Sequence, residues 1–140
     1  MKAKALLIVD DEPEIVELIQ SLFSDQGWTV HTAQNGNEAL VVFQQQNPSV
    51  ILSDISMPDM DGLEFLEKVH ELKSNTPVIL LTGYRNMQKM QRAWAACVYD
   101  FIDKPFSDDE IILLVENARE YGEDYVIAAR QRIRRYKKVS

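Results

Sequence analysis

The strongest constraint on this chain is an alternation. Short apolar runs at residues 5–9, 28–33, 50–53, 78–82 and 99–103 are separated by segments with apolar residues at helical spacing. After the first run, Ile15, Leu18, Ile19, Leu22 and Phe23 recur at that spacing. Pro13 stands where a helix can start, and Gly27 stops it. Ala39, Leu40, Val42 and Phe43 mark a second helix after the Asn35-Gly36 turn. Leu63, Phe65, Leu66, Val69 and Leu72 mark a third. A weaker fourth segment, residues 86–96, is expected to turn Met87, Met90 and Trp94 inward. Before residues 111–121, Ser107 and Glu110 have the spacing of a capping box. Strand–helix units in such succession predict an α/β fold, a parallel sheet with helices on both faces. The first, third and fourth runs are nearly continuous in apolar residues, as buried parallel strands are.

A sheet of this kind carries its sites beyond the carboxyl ends of its strands. Strand one ends in Asp10-Asp11-Glu12, strand three in Asp54, strand four in Thr82-Gly83 and strand five in Asp103-Lys104-Pro105-Phe106. If these strands are neighbours, carboxylates, a hydroxyl and an ammonium converge on one cleft. Close carboxylates repel and need compensation. Lys104 supplies one positive charge, and a divalent ion bound by oxygen ligands, Mg²⁺ or Mn²⁺, supplies two more. The same set suits phosphoryl chemistry. Metal and lysine neutralise phosphoryl oxygens, Thr82 donates a hydrogen bond, and a carboxylate can attack. A lone aspartate at a strand end is more often a cap or turn former, and Asp59 and Asp61 read that way. The coincidence of suitable residues at four strand ends is what points to a site. No GxxxxGK loop is present, which argues against nucleotide binding by that route.

Charge and composition narrow the classes further. The formal net charge of −7 is uneven, with +4 over residues 122–140 and −11 over residues 1–121. An acidic body disfavours phosphate-backbone binding. No apolar run nears the roughly 20 residues of a membrane helix. The start, MKAKALLIVDDE, has the lysines and apolar run of a signal peptide, but acidic residues follow at once and no small-residue cleavage site appears. It reads as the first strand of a cytoplasmic protein. Cys97 is the only cysteine, so neither an internal disulfide nor a thiolate metal cluster is expected. His31 and His70 read as surface residues without metal or acid–base partners.

The motifs LLIVDDEPE, ILSDISMPDMDG, VILLTG and DFIDKPF, in this order and spacing, resemble the receiver domains of two-component response regulators over residues 4–121. The resemblance implies a doubly wound, flavodoxin-like (βα)5 fold with strand order 2-1-3-4-5. It implies that Asp54 accepts a phosphoryl group from a sensor histidine kinase or phosphotransfer protein. Asp11, Asp54 and the backbone carbonyl of Ser56 would hold Mg²⁺, with Asp10 acting largely through a metal-bound water. Thr82 and Lys104 would bind phosphoryl oxygens, and the Lys104–Pro105 bond would be cis. Phe101 would be the aromatic switch residue, with packing alone to bias it, or else a plain core aromatic. Ser56 and Tyr84 would modulate the rate of phosphoryl loss. The face of the fourth helix, fifth strand and fifth helix would meet an output domain, a partner or a second copy.

Two departures stand out. Receivers often carry Gly-Ala before the fifth strand, where this chain has Cys97-Val98, which would alter that turn. Residues 122–140 run past the expected end of the fifth helix as a basic tail, with Val126, Ala129, Ile133 and Tyr136 at helical spacing. The tail reads as a linker helix to an output domain absent from this chain, as a self-association or partner-binding helix, or, less favoured, as an anion-contacting segment using Arg130, Arg132, Arg134, Arg135, Lys137 and Lys138. Direct nucleic-acid binding is otherwise expected only through such an output domain. Two other classes fit the alternation. A magnesium-dependent phosphohydrolase with Asp54 as covalent nucleophile would want a better acid than Ser56 and a cap segment. A flavin binder would want phosphate-cradling loops where Asp10-Asp11 stand.

Overall fold

In the computed structural model, which describes the backbone of residues 2–139 and the side chains of residues 2–135, five parallel strands lie in the order β2-β1-β3-β4-β5. They are β1 (Ala5–Val9), β2 (Thr29–Ala33), β3 (Val50–Asp54), β4 (Val78–Thr82) and β5 (Asp100–Asp103). The helices are α1 (Pro13–Asp25), α2 (Gly36–Gln46), α3 (Gly62–Glu71), α4 (Met87–Ala95) and α5 (Asp108–Val139). This is the doubly wound order inferred from the motifs. The strand order reverses between β1 and β3, and there the carboxyl ends diverge into a crevice.

The two faces of the sheet follow from the period of two along a strand. Leu7, Val9, Ile51, Leu80 and Phe101 point to one side and pack with Ala39, Phe43, Phe65, Leu66 and Ala93 of α2, α3 and α4. Leu6, Ile8, Leu52, Ile79 and Ile102 point to the other and pack with Ile19, Phe23, Ile111 and Val115 of α1 and α5. Every residue of β3 and β4 is buried. Most helices start as the sequence suggests. The side chains of Asn35, Asp61 and Asn86 each accept from a backbone N–H three residues on, and Ser107 does the same from Glu110. Pro13 opens α1 without a side-chain cap.

Several expectations are corrected. In α4 it is Ala93 that is buried, whereas Met87 and Trp94 are largely exposed and only Met90 packs partly on the core. The helix is short and lies on its small residue, so the larger side chains fan outward. His70 is half-buried, not a surface residue, and His31 is half-buried as well. Cys97 keeps the left-handed conformation, at φ 60°, that a glycine would adopt, so the turn before β5 is retained despite the Cβ.

The fifth helix does not stop near residue 121. It runs on as one element because Gly122 is absorbed where the helix crosses the start of β4. A Cβ at Gly122 would lie 2.6 Å from the Pro77 ring. Beyond that crossing Tyr125 stacks edge-on against Tyr99, with ring centroids 5.3 Å apart, and Val126 is buried. Arg130 then donates to the carbonyls of His70 and Ser74 at the carboxyl end of α3, where a cation suits the helix dipole. Val126, Ala129 and Ile133 thus face the domain. The side chains of Tyr136, Lys137 and Lys138 lie outside the described residues. Replacing Gly122 with leucine is expected to cost about 1–3 kcal/mol by overpacking against Pro77. Thermal melts and helical circular dichroism should both fall, whereas a gain in stability would mean that the crossing is loose.

Candidate functional site

Each strand that borders the crevice delivers a residue from at or just beyond its carboxyl end into it. Asp10 follows β1 and is almost fully buried. Its Oδ1 accepts from the Glu12 N–H at 2.9 Å, while Oδ2 is buried with no hydrogen-bond partner. Asp54 ends β3, also buried, and its Oδ1 accepts from the Ser56 N–H at 3.3 Å. Lys104 leaves β5 and turns its Nζ to within 3.3 Å of Asp54 Oδ2, 3.6 Å of Asp10 Oδ2 and 3.8 Å of Glu12 Oε1. Asp10, Asp11, Glu12 and Asp54 each bring a carboxylate oxygen within 4.8 Å of the others.

The electrostatics follow from this crowding. Asp10 is pushed above the usual carboxylate range, chiefly by burial and then by Asp54 across the cleft, against the opposing pull of the Glu12 N–H and Lys104. Burial works against the Lys104 ammonium, yet the Asp54, Asp10 and Glu12 carboxylates outweigh it and raise its pKa. One ammonium therefore faces four carboxylates. A small divalent cation fits this all-oxygen donor set, and Asp10 Oδ2, which accepts no hydrogen bond and has the Lys104 ammonium 3.6 Å away, is a group that such a cation, or a water bound to it, would satisfy. Asp11 is exposed at the mouth, and Ser56, on the loop after β3, lines the cleft beside Asp54.

Two glycines make the site's loop possible. A Cβ on Gly62 would stand 2.0 Å from the Asp54 carbonyl oxygen, and one on Gly36 would lie 2.6 Å from the Met60 side chain. The loop between β3 and α3 is thereby folded back on Asp54 and pinned to the start of α2 by the Gly36 N–H donating to Met60 O. Asp59 takes a left-handed turn at φ 66°, and Asp61 caps α3. Ile55 is buried and Met57 packs against the core.

Thr82 is buried at the end of β4, but its hydroxyl is engaged elsewhere. It donates to Tyr84 O at 2.8 Å and accepts from the Tyr84 N–H at 3.2 Å. Tyr84 lines the rim of the cleft and is 82% exposed. Phe101 is buried against Trp94, with ring centroids 6.4 Å apart, and the Arg85 guanidinium lies 5.7 Å from its centroid. Packing alone was expected to hold Phe101; a cation from the loop after β4 joins in. Arg85 also donates to Asp103 Oδ1 at 2.7 Å, tying that loop to the end of β5. The Lys104–Pro105 bond is cis.

The motifs single out Asp10, Asp11, Asp54, Thr82 and Lys104, and all five meet at the crevice. Glu12, which directly follows Asp11, joins them although the motifs do not single it out. The Arg85–Asp103 bridge escapes the sequence because its partners lie on different elements.

The family model of the response regulator receiver domain matches residues 6–116. The chain belongs to the response regulator receiver family. Regulatory protein AtoC of Escherichia coli is 39% identical over 113 residues, which are 81% of this chain but 24% of AtoC. An uncharacterized 14.6 kDa protein of Leptolyngbya boryana is 37% identical, over 79% of this chain and 86% of its own length. Among solved structures, the CheY-like receiver domain protein from Methanospirillum hungatei superposes with a TM-score of 0.82 at 28% identity, covering 87% of this chain and 98% of its own. The receiver domain of NtrX from Brucella abortus follows at 0.76 and 33%, covering 82% and 98%. The chain thus spans about a quarter of AtoC and nearly all of the isolated receivers. No helix among the described residues of this receiver is long and apolar enough to cross a membrane.

The close approach of Gly62 to Asp54 carries a prediction for this receiver. Gly62→Ala should destabilise the fold by about 1–3 kcal/mol or more and weaken Mg²⁺-induced stabilisation. Thermal melts with and without the ion check it, and an unchanged Mg²⁺ response would show that the loop tolerates the methyl group.

Proposed function

We propose that this receiver is a phosphorylation-controlled signalling switch whose acceptor is Asp54. The observation that carries the reading is the Lys104 ammonium held 3.3 Å from the Asp54 carboxylate inside a group of four converging carboxylates. An Asp54 oxygen attacks the phosphorus of a phosphohistidine, the P–N bond breaks, and the imidazole keeps the electron pair. The product is an acyl phosphate on Asp54. Asp11, Asp54 and the Ser56 carbonyl would hold Mg²⁺ or Mn²⁺, with Asp10 behind a bound water and Glu12 at the rim. The ion supplies positive charge where phosphoryl charge arrives. Lys104 draws the remaining phosphoryl oxygens and offsets their repulsion by Asp10.

The switch follows from the hydrogen inventory of Thr82. Its hydroxyl carries a single proton, which now goes to Tyr84 O. A phosphoryl oxygen on Asp54 is a stronger, charged acceptor and competes for that proton. Transfer of the hydrogen bond releases the Tyr84 carbonyl, and with it the loop that carries Arg85 over Phe101. The α4–β5–α5 surface is thereby altered, and an output domain or partner reads the change. On this reading residues 1–121 form the receiver unit in the cytoplasm, and residues 122–140 form a helical extension toward an output domain. A sensor histidine kinase or phosphotransfer protein is the donor. AtoC, much longer than the segment matched, is named a regulatory protein, in keeping with a receiver that governs other segments.

Incubation with acetyl phosphate and Mg²⁺ should add one phosphoryl group, seen by intact-mass spectrometry, and Asp54→Ala should lose it. Modification that persists in Asp54→Ala, or that ignores chelation of the metal, would sink the proposal. Tyr84 at the rim is expected to slow water's access to the acyl phosphate. Tyr84→Ala should therefore lose its phosphoryl group several-fold faster than the wild type, and an equal or slower loss would refute a shielding role.

A further inference from the structure

The long fifth helix has an unusual charge order. Over residues 108–124 it holds seven acidic residues and one arginine, net −6, and over residues 125–139 six basic residues and no acidic one, net +6. Its solvent face is a single stripe. Glu110, Leu113, Asn117, Tyr121, Asp124, Ala128, Gln131 and Arg135, in steps of three and four, are all exposed. Leu113 is 64% and Tyr121 58% exposed, large for apolar groups with no other role in the fold.

We propose that two copies of this chain pair antiparallel through the stripe, about a two-fold axis between Gly122 and Glu123. In that register Glu110 faces Arg135 of the second copy, Tyr121 faces Asp124, Asn117 faces Ala128, and Leu113 lies beside Gln131 and the stem of Arg132. Symmetry makes each contact twice, as an isologous interface requires. The acidic half of each helix lies along the basic half of the other over about 48 Å. Parallel pairing would instead set Glu110 on Glu110 and Arg135 on Arg135. A nucleic acid along the same face would meet the acidic half. The opposite side of α5 is taken up by its own domain through Ile111, Val115, Ala118, Val126 and Arg130, so the pairing needs no rearrangement. It uses none of the residues of the crevice.

Sedimentation equilibrium should find a concentration-dependent dimer. Arg135→Glu alone and Glu110→Arg alone should each raise its dissociation constant roughly tenfold, and the two changes in one chain should restore it. Glu110→Cys and Arg135→Cys chains, oxidised separately, should stay uncrosslinked, and mixed they should give a disulfide-linked pair. Circular dichroism of these exposed variants should match the wild type. A monomer at every concentration, no restoration in the double variant, or self-crosslinking of the Glu110→Cys chains would overturn the pairing. So would a monomeric wild type that binds duplex DNA through Arg135.

Discussion

Everything at the top of this sheet depends on how negative charge is compensated where β1, β3 and β5 end. Carboxylates gathered within 4.8 Å of each other repel, and two of them, on Asp10 and Asp54, are buried. Lys104 pairs with Asp10, Glu12 and Asp54 of this cluster, and its raised pKa reflects that attraction. One ammonium offsets only part of the charge of four carboxylates, so added positive charge would be favoured in the crevice. The rest of the fold serves this placement. Parallel strands bring the chain ends together, and Gly62 lets the loop after β3 close on the Asp54 backbone.

The second theme is exclusivity at Thr82. A hydroxyl has one proton; that of Thr82 goes to the Tyr84 carbonyl while its oxygen accepts from the Tyr84 N–H, so two hydrogen bonds tie the end of β4 to the loop that follows, and in the proposed switch a phosphoryl oxygen competes for the first. Arg85 extends the coupling, because the same loop reaches both the Phe101 ring and Asp103. In the proposed switch, a phosphoryl group at the cleft acts on a surface beyond β5 through this loop.

Much of this was legible in the sequence. Apolar runs of β1, β3 and β4 marked buried parallel strands, and the residues that end them marked the crevice. Ser107 announced a cap that the structure contains, whereas Asn35, read as part of a turn, and Asp61, read as a cap or turn former, both prove to cap helices. What was not legible depends on approach between distant segments. The orientation of α4 is decided by Ala93 lying on the core, against the pull of its larger neighbours. Gly122 looks like a helix stop in one dimension and is a crossing point with Pro77 in three. Arg130 reads as one more charge in a basic run, yet it is half-buried at the carboxyl end of α3. Periodicity reports which face of a helix is apolar, but not which distant backbone it meets.

The most direct test is the backbone amide of Tyr84, followed by nuclear magnetic resonance while beryllofluoride and Mg²⁺ are added as a phosphoryl mimic. The account predicts large shifts at Tyr84 and Arg85 in the wild type and none in Asp54→Ala. In Thr82→Ala, residues around Asp54 should shift while the loop stays still. Loop shifts that survive in Thr82→Ala, or a ligand that binds at Asp54 without moving the Tyr84 amide, would contradict it.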